Sequence, residues 1–128
     1  MSGTDGEDDL RAGANEQTTE TTTGSEPVHV ESEAHLEELV SENDVVLVDF
    51  YADWCGPCQM LEPVVAEVAA ETAAVVAKVD IDDLQALAQQ QGIRGVPTLM
   101  LYADGDLVER LVGVQEKSTL VELVEANA

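Results

Sequence analysis

Apolar residues along this chain fall into two kinds of block. Val45-Val46-Leu47-Val48-Asp49-Phe50-Tyr51 is a near-continuous run of β-branched and aromatic residues, and residues 75–81 form a second such run. A pattern apolar at nearly every position predicts strands buried on both faces, in the middle of a sheet covered by helices. Elsewhere apolar positions recur at three- and four-residue steps. Leu36, Leu39 and Val40 predict a helix from an N-cap at Ser32 to about residue 40. Met60, Leu61, Val64, Val65 and Val68 predict a helix over 57–73, kinked at Pro63, which has no N–H to give the preceding turn. Leu120, Leu123 and Val124 predict a last helix over 118–125. Residues 28–30, 98–102 and 107–112 read as strands. Asp104-Gly105 between the last two signals a tight hairpin, which makes that pair antiparallel. Asp82 or Asp83 is expected to cap a short helix through Gln90, ended by Gly92. The order β-α-β-α-β-α-β-β-α is an α/β pattern, a mixed central β-sheet flanked by helices.

Residues 1–27 break this pattern. They are rich in Gly, Thr, Glu and Asp, with Leu10 almost the only large apolar residue and a low-complexity run at Thr18-Thr19-Glu20-Thr21-Thr22-Thr23. Such a segment buries too little surface to offset the entropy of ordering, so a disordered acidic N-terminal extension is expected, followed by one domain over 28–128.

Charge changes the picture further. The 128 residues carry 27 acids and five bases, a formal net charge of −22. Residues 28–128 alone hold twenty acids and four bases, so the acidity belongs to the domain and not only to its extension. Nucleic-acid binding needs Lys and Arg to displace counterions, and docking on anionic membranes needs the same residues, so neither partner is expected. The sharper reading is adaptation to a high-salt cytoplasm. In dilute buffer the acids repel one another and oppose compaction, whereas at about 1 M salt the Debye length is roughly 3 Å and the repulsion is screened. No run of 18 or more apolar residues is present, and the N-terminus lacks the basic and then apolar regions of a secretory signal. A soluble, cytoplasmic protein is the expectation.

The chemistry lies in Trp54-Cys55-Gly56-Pro57-Cys58, between the buried strand ending at Tyr51 and the helix starting near Pro57. Cys55 falls at a helix N-terminus, where unpaired N–H groups and the dipole favour an anion. The thiolate is the reactive form, so this position activates the sulfur. Cys58 is one turn later on the same face, and the two sulfurs can meet. Pro57 suits the first turn. C-x-x-C is also half of a zinc site, but a structural site takes four ligands, and only His29 and His35 remain, far along the chain. No metal and no cofactor is therefore expected. A purely structural disulfide is the other alternative, and its tiny loop would constrain little of the unfolded chain.

The segment from Val48 to Cys58 closely resembles the active-site segment of the thioredoxin family. The resemblance continues through Pro63, Lys78-Val79-Asp80, Gly92-Ile93-Arg94-Gly95-Val96-Pro97-Thr98 and Gly113, and covers about residues 28–128. It implies the thioredoxin fold and a protein-disulfide reductase that is re-reduced by a thioredoxin reductase. Its protein substrates carry disulfides. By this resemblance Cys55 attacks the substrate disulfide, and Cys58, the less exposed sulfur, attacks Cys55 and releases the reduced substrate. Asp49, a carboxylate within an apolar strand, should have a raised pKa and serve as base for Cys58, with Lys78 beside it. The alternative for Asp49 and Lys78 is a buried pair kept for structure alone. The Val96–Pro97 bond is expected to be cis and to face the cysteines, with the Val96 backbone pairing with an extended substrate segment. Trp54, Gly56, Pro57, Gly95, Val96, Pro97 and Gly113 would line that contact surface, with core packing as the alternative for Trp54 and a strand-end turn for Gly113.

Two positions depart from the family. Tyr51 stands where Trp is frequent, and Gln59 where a base often follows the second cysteine. Without that base, and with Asp53 close by, the Cys55 thiolate is less favoured, an effect that salt softens. His29, His35 and Arg94 read as surface residues, and Met60 and Met100 as core packing. A monomer is expected. A binding subunit whose contacts matter more than turnover, and an oxidising rather than reducing catalyst, are the competing readings; the Gly-Pro pair counts against the latter.

Overall fold

The structure, a computed structural model, describes residues 26–128, so the disorder expected of 1–27 lies almost wholly outside the described residues. Among the described residues, nine elements follow in the expected order. They are β1 (Val28–His29), α1 (Glu33–Glu42), β2 (Val45–Tyr51), α2 (Gly56–Glu71), β3 (Val75–Asp80), α3 (Gln85–Gln90), β4 (Thr98–Ala103), β5 (Asp106–Val112) and α4 (Lys117–Asn127).

The strands form one five-stranded sheet in the order β1-β3-β2-β4-β5. β1 and β2 run parallel to β3, while β4 runs antiparallel to both β2 and β5. The most apolar strand, β2, is therefore central and paired on both edges. Its alternation divides the core. Val45 and Leu47 pack with Leu61, Val65 and Val68 of α2 and with Leu120 and Val124 of α4. Val46, Val48 and Phe50 pack on the other face with Leu36 of α1 and Leu87 of α3. Burial on both faces is what the unbroken apolar run demands, since each face must be removed from water.

Local chemistry sets the ends of the elements. The Ser32 hydroxyl accepts from the His35 N–H and caps α1. Asp104 and Gly105 both have positive φ, 53° and 88°, the requirement of a two-residue hairpin whose twist matches its strands. Helix α2 runs continuously through Pro63. Neither Asp82 nor Asp83 caps α3. Leu84 holds the N-cap position with no side-chain bond, and the Asp82 carboxylate is engaged by Trp54 instead. At the other end of α3, the Arg110 guanidinium donates to the Gln91 and Gly92 carbonyls. These are orphan acceptors of a helix C-terminus, which a cation satisfies well.

Candidate active site

The site stands where β2 ends and α2 begins. Ala52 through Cys55 make the turn between them, with the Cys55 N–H donating to the Ala52 carbonyl. Cys55 is the N-cap of α2: its sulfur accepts a hydrogen bond of 3.1 Å from the Cys58 N–H. The helix N-terminus places the partial positive charge of its free N–H groups beside that sulfur, whichever redox state it is in. Cys55 and Cys58 are joined by a disulfide across Cα atoms 5.2 Å apart. Both cysteines are buried, Cys58 at 3% exposure and Cys55 at 5%. Ala52, Tyr51, Ile81 and Val96 close around them.

Residues distant in the chain complete the site. The Val96–Pro97 bond is cis, and the Val96 carbonyl oxygen lies 3.6 Å from the Cys55 sulfur. Gly113, with φ of 93°, donates its N–H to the Pro97 carbonyl at 2.8 Å, which ties the end of β5 to this loop. A side chain there would be strained by the positive φ, which answers why the position is glycine. Gly95, Gly56 and Pro57 are exposed around the disulfide. Trp54 is 70% exposed, which removes core packing as its role. Its indole N–H donates to Asp82 at 2.9 Å, fixing an apolar ring on the surface next to Cys55. Met60, expected in the core, is 68% exposed, because it falls off the Leu61, Val65, Val68 stripe of α2; Met100 is fully buried as expected. His29 and Arg94 are exposed and His35 is half-buried, with its Nδ1 accepting from the Glu31 N–H.

Asp49 lies on the α2 face of β2, by the same alternation that puts Val45 and Leu47 there. It is fully buried, and it is the register partner of Lys78 on β3. Lys78 Nζ is 3.8 Å from Asp49 Oδ2, an ion-pair distance too long for a hydrogen bond. Among the described residues neither oxygen of Asp49 accepts a hydrogen bond. Burial pushes its pKa up from 3.8 to about 6, opposed by the Lys78 charge and assisted by that of Glu62. Desolvation wins because one cation at this distance repays only part of the cost of burying a carboxylate.

Glu62 is the residue that sequence reasoning missed. It sits on α2 one turn beyond Cys58, and its carboxylate takes the hydrogen bond of the Lys78 ammonium. Lys78 also stands over the Tyr51 ring, 4.2 Å from the centroid, a cation–π contact. An acid four residues after the second cysteine was the available signal. In a chain with 27 acids that signal does not stand out.

A two-cysteine disulfide at a helix start, beside a cis-proline loop and with a carboxylate buried in the strand that leads to it, defines a protein-disulfide oxidoreductase built on the thioredoxin fold. Comparison with known proteins agrees. The thioredoxin family model matches residues 26–126. A thioredoxin of Chlamydia trachomatis is 43% identical over 101 residues, spanning 78% of this chain and 98% of that protein. Among solved structures, a mutant thioredoxin from Halobacterium salinarum is 55% identical, with a TM-score of 0.80 over 84% of this chain and 96% of that one. A Plasmodium falciparum thioredoxin is 35% identical, with a TM-score of 0.71 over 79% and 99% of the two chains. The chain belongs to the thioredoxin family.

Proposed function

We propose that this chain is a cytoplasmic, monomeric reductase of protein disulfides, adapted to high salt, with Cys55 as nucleophile, Cys58 as resolving thiol and Asp49 as the base that serves Cys58. The Cys55 thiolate attacks one sulfur of a substrate disulfide. A Cys55–substrate S–S bond forms, the substrate S–S bond breaks, and its second sulfur leaves as a thiolate. Cys58 then loses its proton to Asp49 and attacks Cys55. The Cys55–Cys58 bond forms as the Cys55–substrate bond breaks, and the electron pair leaves on the substrate sulfur. The substrate has gained two electrons, and the protein holds the disulfide. A thioredoxin reductase returns two electrons and two protons to restore the dithiol.

The observation that carries this reading is Cys55 at the N-cap of α2 with the Cys58 amide directed at its sulfur. That arrangement stabilises negative charge on Cys55, both as attacking group and as leaving group. Lys78 acts on Asp49 through its charge. Trp54, Gly56, Pro57, Gly95, Val96, Pro97 and Gly113 form the contact surface, and the Val96 backbone pairs with an extended substrate segment, as in strand addition. No cofactor or metal takes part in this reading, and the acidic surface excludes nucleic acid and anionic membrane as partners. Residues 28–128 carry the activity; residues 1–27 serve as a solubilising extension, so removing them leaves turnover unchanged.

Insulin-type disulfide reduction in molar KCl tests the reading. Wild type reduces the substrate; Cys55→Ser abolishes reduction; Cys58→Ser accumulates covalent mixed disulfides with protein partners. Full biological function in the Cys55→Ser protein would favour the binding-subunit reading instead.

A further inference from the structure

The Lys78 ammonium has two carboxylates within reach and is bonded to the exposed one. It donates to Glu62 Oε2, while the buried Asp49 carboxylate stands 3.8 Å away with neither oxygen hydrogen-bonded among the described residues. Taken alone, a buried carboxylate beside a buried lysine should draw that cation into direct contact, because the attraction is stronger where water is excluded. Glu62 changes the outcome. Its side chain is 56% exposed, at the mouth of a slot that Tyr51, Ala52, Asp53, Cys58 and Gln59 also line, and it pulls the ammonium outward along the Tyr51 ring.

We propose that Glu62 is a positioning residue for the resolving step: it holds the Lys78 ammonium off Asp49, so that the buried carboxylate keeps its oxygens open for the Cys58 proton. This rests on the role of Asp49 proposed above and deepens it. A carboxylate tied to an ammonium by a hydrogen bond is a weak base, because protonation must first break that bond. With Glu62 holding the cation, Lys78 supplies field without occupying the acceptor. Among the described residues, the charged groups acting on Asp49 are Lys78 from β3 and Glu62 from α2; Tyr51 of its own strand feels the Asp49 charge, and its partner on β4 is the apolar Leu99. Asp53 and Asp80 act on Tyr51, which stays protonated, its pKa pushed up to about 12 chiefly by burial. Burial first, and the Glu62 charge after it, raise the Asp49 pKa, a direct effect separate from the placing of Lys78.

The test is an NMR titration of the Asp49 carboxyl carbon in the reduced full-length protein in molar KCl. Wild type is compared with Glu62→Gln, Lys78→Gln and the double variant, with Lys78→Met replacing Lys78→Gln if the latter is poorly folded. Glu62→Gln frees Lys78 to bond Asp49, so the Asp49 midpoint should fall by about one pH unit. With Lys78 already replaced, only the loss of the Glu62 charge itself acts, so the midpoint should fall by clearly less than it does with Lys78 present. A midpoint that stays or rises in Glu62→Gln overturns the proposal. So does an equal fall in both backgrounds, which would make Glu62 a direct electrostatic influence and not a holder of Lys78. The titration needs no turnover, so failure of the reductase reading would appear separately, in the insulin assay.

Discussion

Lys78 and Lys117 each lean on a pair of carboxylates beside α2, and burial gives the two clusters different work. Lys117, at the start of α4, meets Glu67 at 3.2 Å and Glu71 at 3.0 Å in open solvent. Its charge is favoured by those hydrogen bonds, and its pKa is raised accordingly. Water and salt screen such a pair, and holding long side chains in place costs entropy, so it contributes little. Lys78 is buried and shares its charge between Asp49 inside and Glu62 at the surface. There screening is weak, and desolvation moves the Asp49 pKa to about 6. The same count of charges that joins two helices at the surface sets a proton affinity in the interior.

The largest expected effect comes from removing the buried acid. A general base typically contributes 10²–10⁴-fold, so Asp49→Asn should slow resolution of the mixed disulfide by about 10²-fold and flatten its pH dependence near 6. An unchanged pH profile would leave Asp49 and Lys78 as a structural pair only.

Stability should move the other way. With a folded pKa of about 6 against 3.8, Asp49 binds its proton more tightly in the folded state. Its ionisation therefore costs stability as pH rises through this window and is without cost below it. Asn mimics the protonated form, so Asp49→Asn should stabilise the protein at pH 8 by up to about 3 kcal/mol. That gain should shrink as pH falls from 6 and vanish below about 4. Denaturant melts at pH 4 and pH 8 check both the size and the sign.

Salt acts on the whole acidic surface at once. Raising KCl from low to molar concentration should lift the melting temperature by more than about 5 °C, corresponding to roughly 1 kcal/mol, as the repulsion among the acids is screened. No rise would remove the high-salt reading. The smallest effect belongs to the exposed cluster. Lys117→Ala should lower the melting temperature by less than about 4 °C in dilute buffer and by nothing measurable in molar KCl. A Lys117 effect as large as that of Asp49 would break the contrast between the two clusters.

Much of this was legible in the sequence because it is local. The span of β2, the hairpin at Asp104-Gly105, the Ser32 cap and the position of Cys55 at a helix start each follow from neighbours in the chain. A lone Asp in an apolar strand also announces itself. What could not be read depends on the meeting of distant elements. Asp82 gives up α3 for an indole from the β2–α2 turn. Trp54 and Met60 are apolar yet stand outside the packed faces, and no periodicity says which end of a helix overhangs its sheet. Glu62 gains its meaning only once α2 lies across β3 and a lysine reaches it.

The most direct test of the account is the alkylation rate of Cys55, measured in reduced Cys58→Ser protein at neutral pH in molar KCl. A sulfur at the start of α2 should react faster than free cysteine under the same conditions, because more of it is thiolate. A rate no greater than that of free cysteine would contradict the account at its root.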